Sequence, residues 1–154
     1  MVDVLLTHAF FISNDTKQKE EKFRPYPPLA TLYAASILQD SKVSVELFDA
    51  TLQKNSLIFS QFLKKHHPKI LIIYEDSFNF LSKMCLTHVR EETIFMAKEA
   101  SNLGIPVIVS SSDASDDPYT YLSSGADYIL LGEADDTVKE LVCHLLRKQP
   151  ANIE

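Results

Sequence analysis

The sequence predicts one α/β domain: a three-layer sandwich, with helices covering both faces of a five-stranded parallel sheet in the order 2-1-3-4-5. Three observations lead there. Short apolar runs of strand length recur at residues 2–6, 43–48, 70–74, 106–109 and 128–131. Segments with helical periodicity separate them, the sign of parallel strands joined by crossover helices. The runs at 2–6 and 70–74 are almost wholly apolar, as strands covered on both faces are, whereas 43–48 alternates and reads as an edge. With the alternating strand second in the chain, the strand order reverses between strands one and three.

Each element has its own justification. Strand one is apolar except for Asp3 and ends at Thr7 and His8. Residues 13–24 then carry seven charges among twelve positions, which suits a solvated loop or a lid over a site. Pro25, Pro27 and Pro28 suit the lead-in and first turn of a helix. That helix is expected over 28–39, with Leu29, Leu32, Tyr33, Ser36 and Ile37 on one face and Ala30, Ala34 and Ala35 permitting close packing. Strand two ends at Asp49. A helix over 52–65 is expected to bury Ile58, Phe59, Phe62 and Leu63, and His66-His67-Pro68 breaks it. Adjacent histidines diverge on a helix, so these two read as solvated end residues and not as joint metal ligands.

Strand three is fully apolar, hence central, and ends in Glu75-Asp76-Ser77. Residues 78–84 are too apolar for an idle loop: they either pack on the domain's own core or form a ledge under a flat ligand. A helix over 87–103 is expected to bury Val89, Thr93, Met96, Ala97, Ala100 and Leu103, with Gly104 capping it. Strand four opens at Pro106. Residues 110–115 read as a polar turn and 117–123 as a short helix that stops before Gly125. Strand five, 128–131, reads as buried and turns at Gly132. Thr137 and Glu140 have capping-box spacing, so the last helix is expected to start there. Val138, Leu141, Val142, Leu145 and Leu146 share its apolar face. Residues 1–148 form the expected domain, and 149–154 a linker-like tail.

Composition excludes several functions. The chain has 154 residues, a 45% apolar fraction and a net charge of −6. It therefore lacks the basic stripe that nucleic-acid binding needs. No run approaches the ~20 apolar residues of a membrane span, and the first residues do not resemble a signal peptide; a cytoplasmic location is expected. Cys85 and Cys143 are too few and too far apart for a metal cage or a disulfide framework. Three glycines, Gly104, Gly125 and Gly132, cannot build a phosphate-binding loop or a dinucleotide fingerprint. A small flavin- or nucleotide-binding module is thereby disfavoured.

The strand ends gather Thr7, His8, residues 75–77, residues 110–112, Gly132 and Glu133 into the expected mouth of a site. Glu75, Asp76, Asp113, Asp116, Asp117, Glu133, Asp135 and Asp136 make that mouth acidic, so bare phosphates are repelled. Acidic strand ends of this kind hold Mg²⁺ in phospho-receiver domains. That chemistry wants an acidic pair after strand one and a lysine after strand five, where this chain has Thr7-His8 and Gly132. His8 with Glu75 or Asp76 could form an acid/base pair, or His8 could simply be hydrogen-bonded at a strand end.

Pro27-Pro28-Leu29 opening the first helix resembles the N-terminal region of cobalamin-dependent radical SAM enzymes, as does the second strand ending in Asp49. The run from Ala126 to Glu133, with Thr137, Glu140 and Leu141 after it, is similar to that group's Gly-Glu ending. The resemblance spans residues 2–146. It implies the flavodoxin-like (Rossmann-like) B12-binding domain, which in that family precedes a radical SAM barrel and often serves methyl transfer. This chain has no Cys-x3-Cys-x2-Cys, so no iron–sulfur cluster is expected in it. An excised or stand-alone domain is expected, non-catalytic by itself, with the barrel of a parent chain as partner. The sequence departs from the family at Ala30, at Ala134-Asp135, and at residues 110–115, where serines replace the usual glycines. The mutase-type Asp-x-His-x-x-Gly is absent around His8, so no protein histidine is expected on cobalt.

The resemblance implies cobalamin as the cofactor, with Ser77, Phe78, Ser110, Ser111, Ser112, Gly132 and Glu133 as contacts, and Thr7 and Pro28 as further ones. The serine and Gly-Glu groups would hold the nucleotide tail. Phe78 would touch the corrin, whose lower face would rest on residues 77–84. No catalytic residue and no metal ligand is assigned. The competing expectation is a degenerate domain that keeps the fold, has lost the cofactor, and serves as an interaction or substrate-docking module.

Overall fold

Five parallel strands in the order β2-β1-β3-β4-β5 build the sheet, as the sequence predicts. This computed structural model describes residues 2–14, 25–75 and 86–148. The strands are β1 (Val4–Thr7), β2 (Val45–Phe48), β3 (Ile70–Tyr74), β4 (Val107–Ser110) and β5 (Tyr128–Leu130). Among the described residues the α-helices are α1 (Leu29–Asp40), α2 (Ser56–His66), α3 (Leu86–Ser101), α4 (Ser112–Asp116), α5 (Pro118–Leu122) and α6 (Asp135–Lys148). Short 3-10 turns lie at Ile12–Asn14 and Ala50–Leu52.

Strand pleating divides the apolar residues between two cores. Val4, Leu6, Ile70, Ile72, Tyr74 and Ile108 face α1 and α6. Leu5, Leu71, Ile73, Val107 and Val109 face α2, α3 and the short helices. The register puts Leu5 opposite Leu71, and Leu71 opposite Val107, so like faces meet across the sheet. β1, β3 and β4 are fully buried, which is why their sequences are continuous apolar runs.

Helix boundaries follow capping chemistry. Asp49 accepts from the Thr51 amide and caps the 3-10 turn, so α2 starts only at Ser56, where Asn55 accepts from the Leu57 amide at 3.1 Å. The helix expected from 52 therefore begins four residues later. It ends at His67, which takes a left-handed conformation, while His66 stacks on the Phe62 ring. The polar turn expected over 110–115 is mostly helix: Ser111 caps α4 by accepting from the Ala114 amide at 2.9 Å. α6 starts at Asp135, two residues before the capping-box position. The Val138 amide already donates to Ala134 O, which leaves Thr137 inside the first turn.

One burial expectation is corrected. β5 is not a buried strand, because it is a sheet edge: Tyr128 is 37% exposed and Leu131, just beyond it, 65%. α1 packs through Ala34 and Ala35, the small residues expected to permit close approach. Thr31, Ala34, Ala35 and Leu38 are buried, while Leu29, Leu32 and Tyr33 stand outward at 72%, 36% and 57% exposure. The Thr31 hydroxyl donates to the carbonyl of Tyr74 at 2.7 Å, which pins the small-residue face of α1 to the end of β3. Large side chains on that face would hold the helix off the sheet.

Candidate functional site

A pocket of about 1060 Å³ opens over the C-terminal ends of β3, β4 and β5. One wall comes from the entry and first turns of α1: Tyr26, Pro27, Leu29, Ala30 and Tyr33. Proline fixes the backbone of this entry, and the Tyr26 ring stacks on Phe10 with centroids 6.1 Å apart. Tyr74 and Glu75 form the floor. Ser110, Ser112, Ser115 and Asp116 make the β4–α4 side, and residues 132–135 the β5–α6 side.

Gly132 has φ +67, a left-handed conformation that favours glycine. A Cβ there would meet nothing within 4 Å, so the backbone and not crowding demands glycine. Its amide lies 3.3 Å from the Ser115 hydroxyl, which in turn donates to the Ser111 carbonyl at 3.0 Å. This chain of contacts ties the β5 turn to α4. Across the floor, the Tyr74 phenol donates to Asp135 at 2.8 Å. Burial and then the Asp135 carboxylate push the Tyr74 phenol upward, so it stays protonated.

Among the described residues the lining has four carboxylates, Glu75, Asp116, Glu133 and Asp135, and no lysine, arginine or histidine. Glu75 is buried, and its Oε1 accepts from the Ala9 amide at 2.6 Å. That bond bridges the exits of β1 and β3.

The expected site residues divide accordingly. Ser110, Ser112, Gly132 and Glu133 line the pocket together. Ser111 is adjacent but engaged as the α4 cap. Pro28 is buried between two lining residues, its carbonyl accepting from the Leu32 amide. Thr7 is fully buried at the other end of the mouth, its hydroxyl directed at the Phe48 and His8 carbonyls. Ser77 and Phe78 lie outside the described residues. Asp116 and Asp135 line it too, as members of the acidic mouth that the sequence suggests, whereas Tyr26, Tyr33, Tyr74 and Ser115 are lining residues that sequence reasoning did not select. Tyr74 carried a readable signal: a phenol closing an otherwise aliphatic strand needs a polar partner at the strand's end.

His8 is a satisfied core histidine. Its Nδ1 accepts from the Phe10 amide at 3.3 Å, so Nε2 carries the proton and donates to Asp49 at 3.0 Å. Burial pushes Asp49 up, but the hydrogen bonds from His8 and the Thr51 amide outweigh it and hold the carboxyl below its ordinary value. The acid/base pairing of His8 with Glu75 is not formed. Behind the pocket, Asp113 of α4 is gripped bidentately by Arg90 of α3 and also accepts from the Tyr121 phenol. The Arg90 hydrogen bonds, chiefly, hold Asp113 below the usual carboxylate range despite its burial. This cluster fixes α4, and with it one pocket wall.

Among the described residues no group of three or more His, Cys, Asp or Glu is placed to hold a metal ion. No described helix is long and apolar enough to cross a membrane. No protein-family model matches the chain, and no curated protein matches it.

Proposed function

We propose that this chain is a cobalamin-binding domain of the kind found in B12-dependent radical SAM enzymes, holding the cofactor without catalysing a reaction by itself. The observation that carries the reading is the pocket over β3, β4 and β5, with tyrosine faces, serine hydroxyls, the Gly132 turn and, among the described residues, no basic side chain. Open α/β sheets bind ligands at these strand ends. A corrin bears many neutral amides. Their N–H groups suit Glu133, Asp116 and Asp135 as acceptors, and their carbonyls suit the Ser112 and tyrosine hydroxyls as donors. The cofactor's phosphodiester is the one group that the carboxylates disfavour. Cobalamin, when bound, supplies a cobalt–carbon bond from which a methyl group can be transferred. This chain's residues would bind and orient it. Both ring nitrogens of His8 are engaged inside the fold, which supports an absence of histidine on cobalt.

The test is retention of hydroxocobalamin and methylcobalamin through gel filtration with the purified chain. Co-elution with a base-off, histidine-free spectrum is expected; a histidine-ligated spectrum would contradict the assignment. A second reading, a domain of this fold that has lost its cofactor and serves as a docking module, is favoured by the acidic lining and the outward-facing Leu29 and Tyr33.

A further inference from the structure

We infer that α1 and the acidic pocket rim form a docking groove for a partner-protein segment carrying apolar and Lys/Arg side chains. The apolar half of the groove is Leu29, Leu32 and Tyr33, at positions i, i+3 and i+4 of one helix face. Their exposures are 72%, 36% and 57%, whereas the opposite face of the same helix is closed on the sheet by Thr31, Ala34, Ala35 and Leu38. Three large apolar side chains in one stripe are the composition of a helix-in-groove or peptide contact. The helix is 12 residues long and contains no lysine or arginine.

Charge complementarity identifies the occupant. Leu29 and Tyr33 share a pocket with Asp116, Glu133 and Asp135, and among the described residues no cationic side chain lines it. The whole chain carries a net charge of −6. An apolar ridge beside a carboxylate wall repels acidic segments and anionic lipid headgroups, and it attracts a segment whose leucine- or phenylalanine-like anchors alternate with lysine or arginine. The outward-facing Tyr33 ring adds a site for a guanidinium or ammonium group. The groove shares Leu29, Tyr33 and these carboxylates with the pocket proposed for cobalamin, and it extends beyond that pocket to Leu32.

The test is fluorescence anisotropy on the full chain with two labelled helical probes, a leucine/lysine peptide and a leucine/glutamate peptide of equal length. The expected result is saturable binding of the leucine/lysine probe only, weakened by raising salt from 0.05 to 0.3 M as screening tightens. Leu29→Asp and Leu32→Asp should each weaken binding by about tenfold, equivalent to ~1.4 kcal/mol. Leu57→Asp, on α2 and 65% exposed, should leave it unchanged. Leu32 does not line the pocket, so Leu32→Asp should reduce peptide binding while leaving any cobalamin retention intact. The inference is overturned if both probes bind equally or neither binds. Equal weakening by Leu57→Asp, or capture of zwitterionic vesicles in place of the peptide, overturns it as well. Circular dichroism melts of each variant confirm that the fold is retained.

Discussion

The Tyr74 phenol, on the last residue of β3, donates to the Asp135 carboxylate on the first residue of α6 at 2.8 Å. This bond joins the centre of the sheet to the helix that forms the far wall of the pocket. Its proton is held in the folded state by burial and by the neighbouring charge. A phenol whose folded value lies above its unfolded one stabilises the protein below about pH 10, and that contribution is lost as pH rises further. Tyr74→Phe is expected to cost about 1 kcal/mol at pH 7. It should also flatten the alkaline fall in stability by up to ~1.4 kcal/mol per pH unit. Urea melts between pH 8 and 11 check both.

Asp113 supplies the acid-side counterpart. Its folded value is lowered, mainly by Arg90, so its contribution is present above the ordinary carboxylate value and is lost as pH falls below it. Asp113→Asn should destabilise by about 1–3 kcal/mol at pH 7, since it removes the acceptor for both Arg90 and Tyr121. The gap between the variant and the parent should narrow as pH falls below the ordinary carboxylate value. Denaturant midpoints at pH 7 and pH 3 would decide this, and an unchanged gap would contradict the ion-pair account.

Two glycines with positive φ should respond differently to alanine. At Gly125, φ is +110 and a Cβ would sit 3.1 Å from Ser101 Cβ and 3.3 Å from the Ala97 carbonyl. At Gly132 the surroundings are open and only the backbone resists. Gly132→Ala should cost about 1–2 kcal/mol, and Gly125→Ala more, because α3 must also give way. Thermal melts of the two variants rank them.

The orientation of α1 can be tested by stability alone. Leu29→Ser should change stability by less than about 0.5 kcal/mol, as an exposed position does. Ala34→Leu, at a fully buried position, should cost about 1–3 kcal/mol through overpacking. The reverse ranking would contradict this orientation of α1.

α1 marks the limit of what the sequence reveals. β1, β3 and β4 were readable because burial on both faces leaves no polar position to confuse the pattern. The strand order followed from the alternation in β2. Periodicity groups Leu29, Leu32 and Tyr33 on one face of α1, but it does not say which way that face points. Close packing against the sheet selects Ala34, Ala35 and a threonine whose hydroxyl reaches the Tyr74 carbonyl. The site was legible where backbone geometry dominates, at Gly132 and the serines ending β4. It was not legible at Tyr33 and Ser115. Their placement depends on how α1 and α4 converge on the strand ends, and no local pattern encodes that convergence.

An absorbance titration of methylcobalamin into the purified full chain, run beside Gly132→Val, tests the central claim most directly. A saturable spectral change below ~100 µM for the parent, weakened at least about tenfold in the variant, is the predicted result. No spectral change at ~100 µM, meaning binding weaker than roughly −5.5 kcal/mol, would contradict cobalamin binding and leave the docking groove on α1 as the function of this surface.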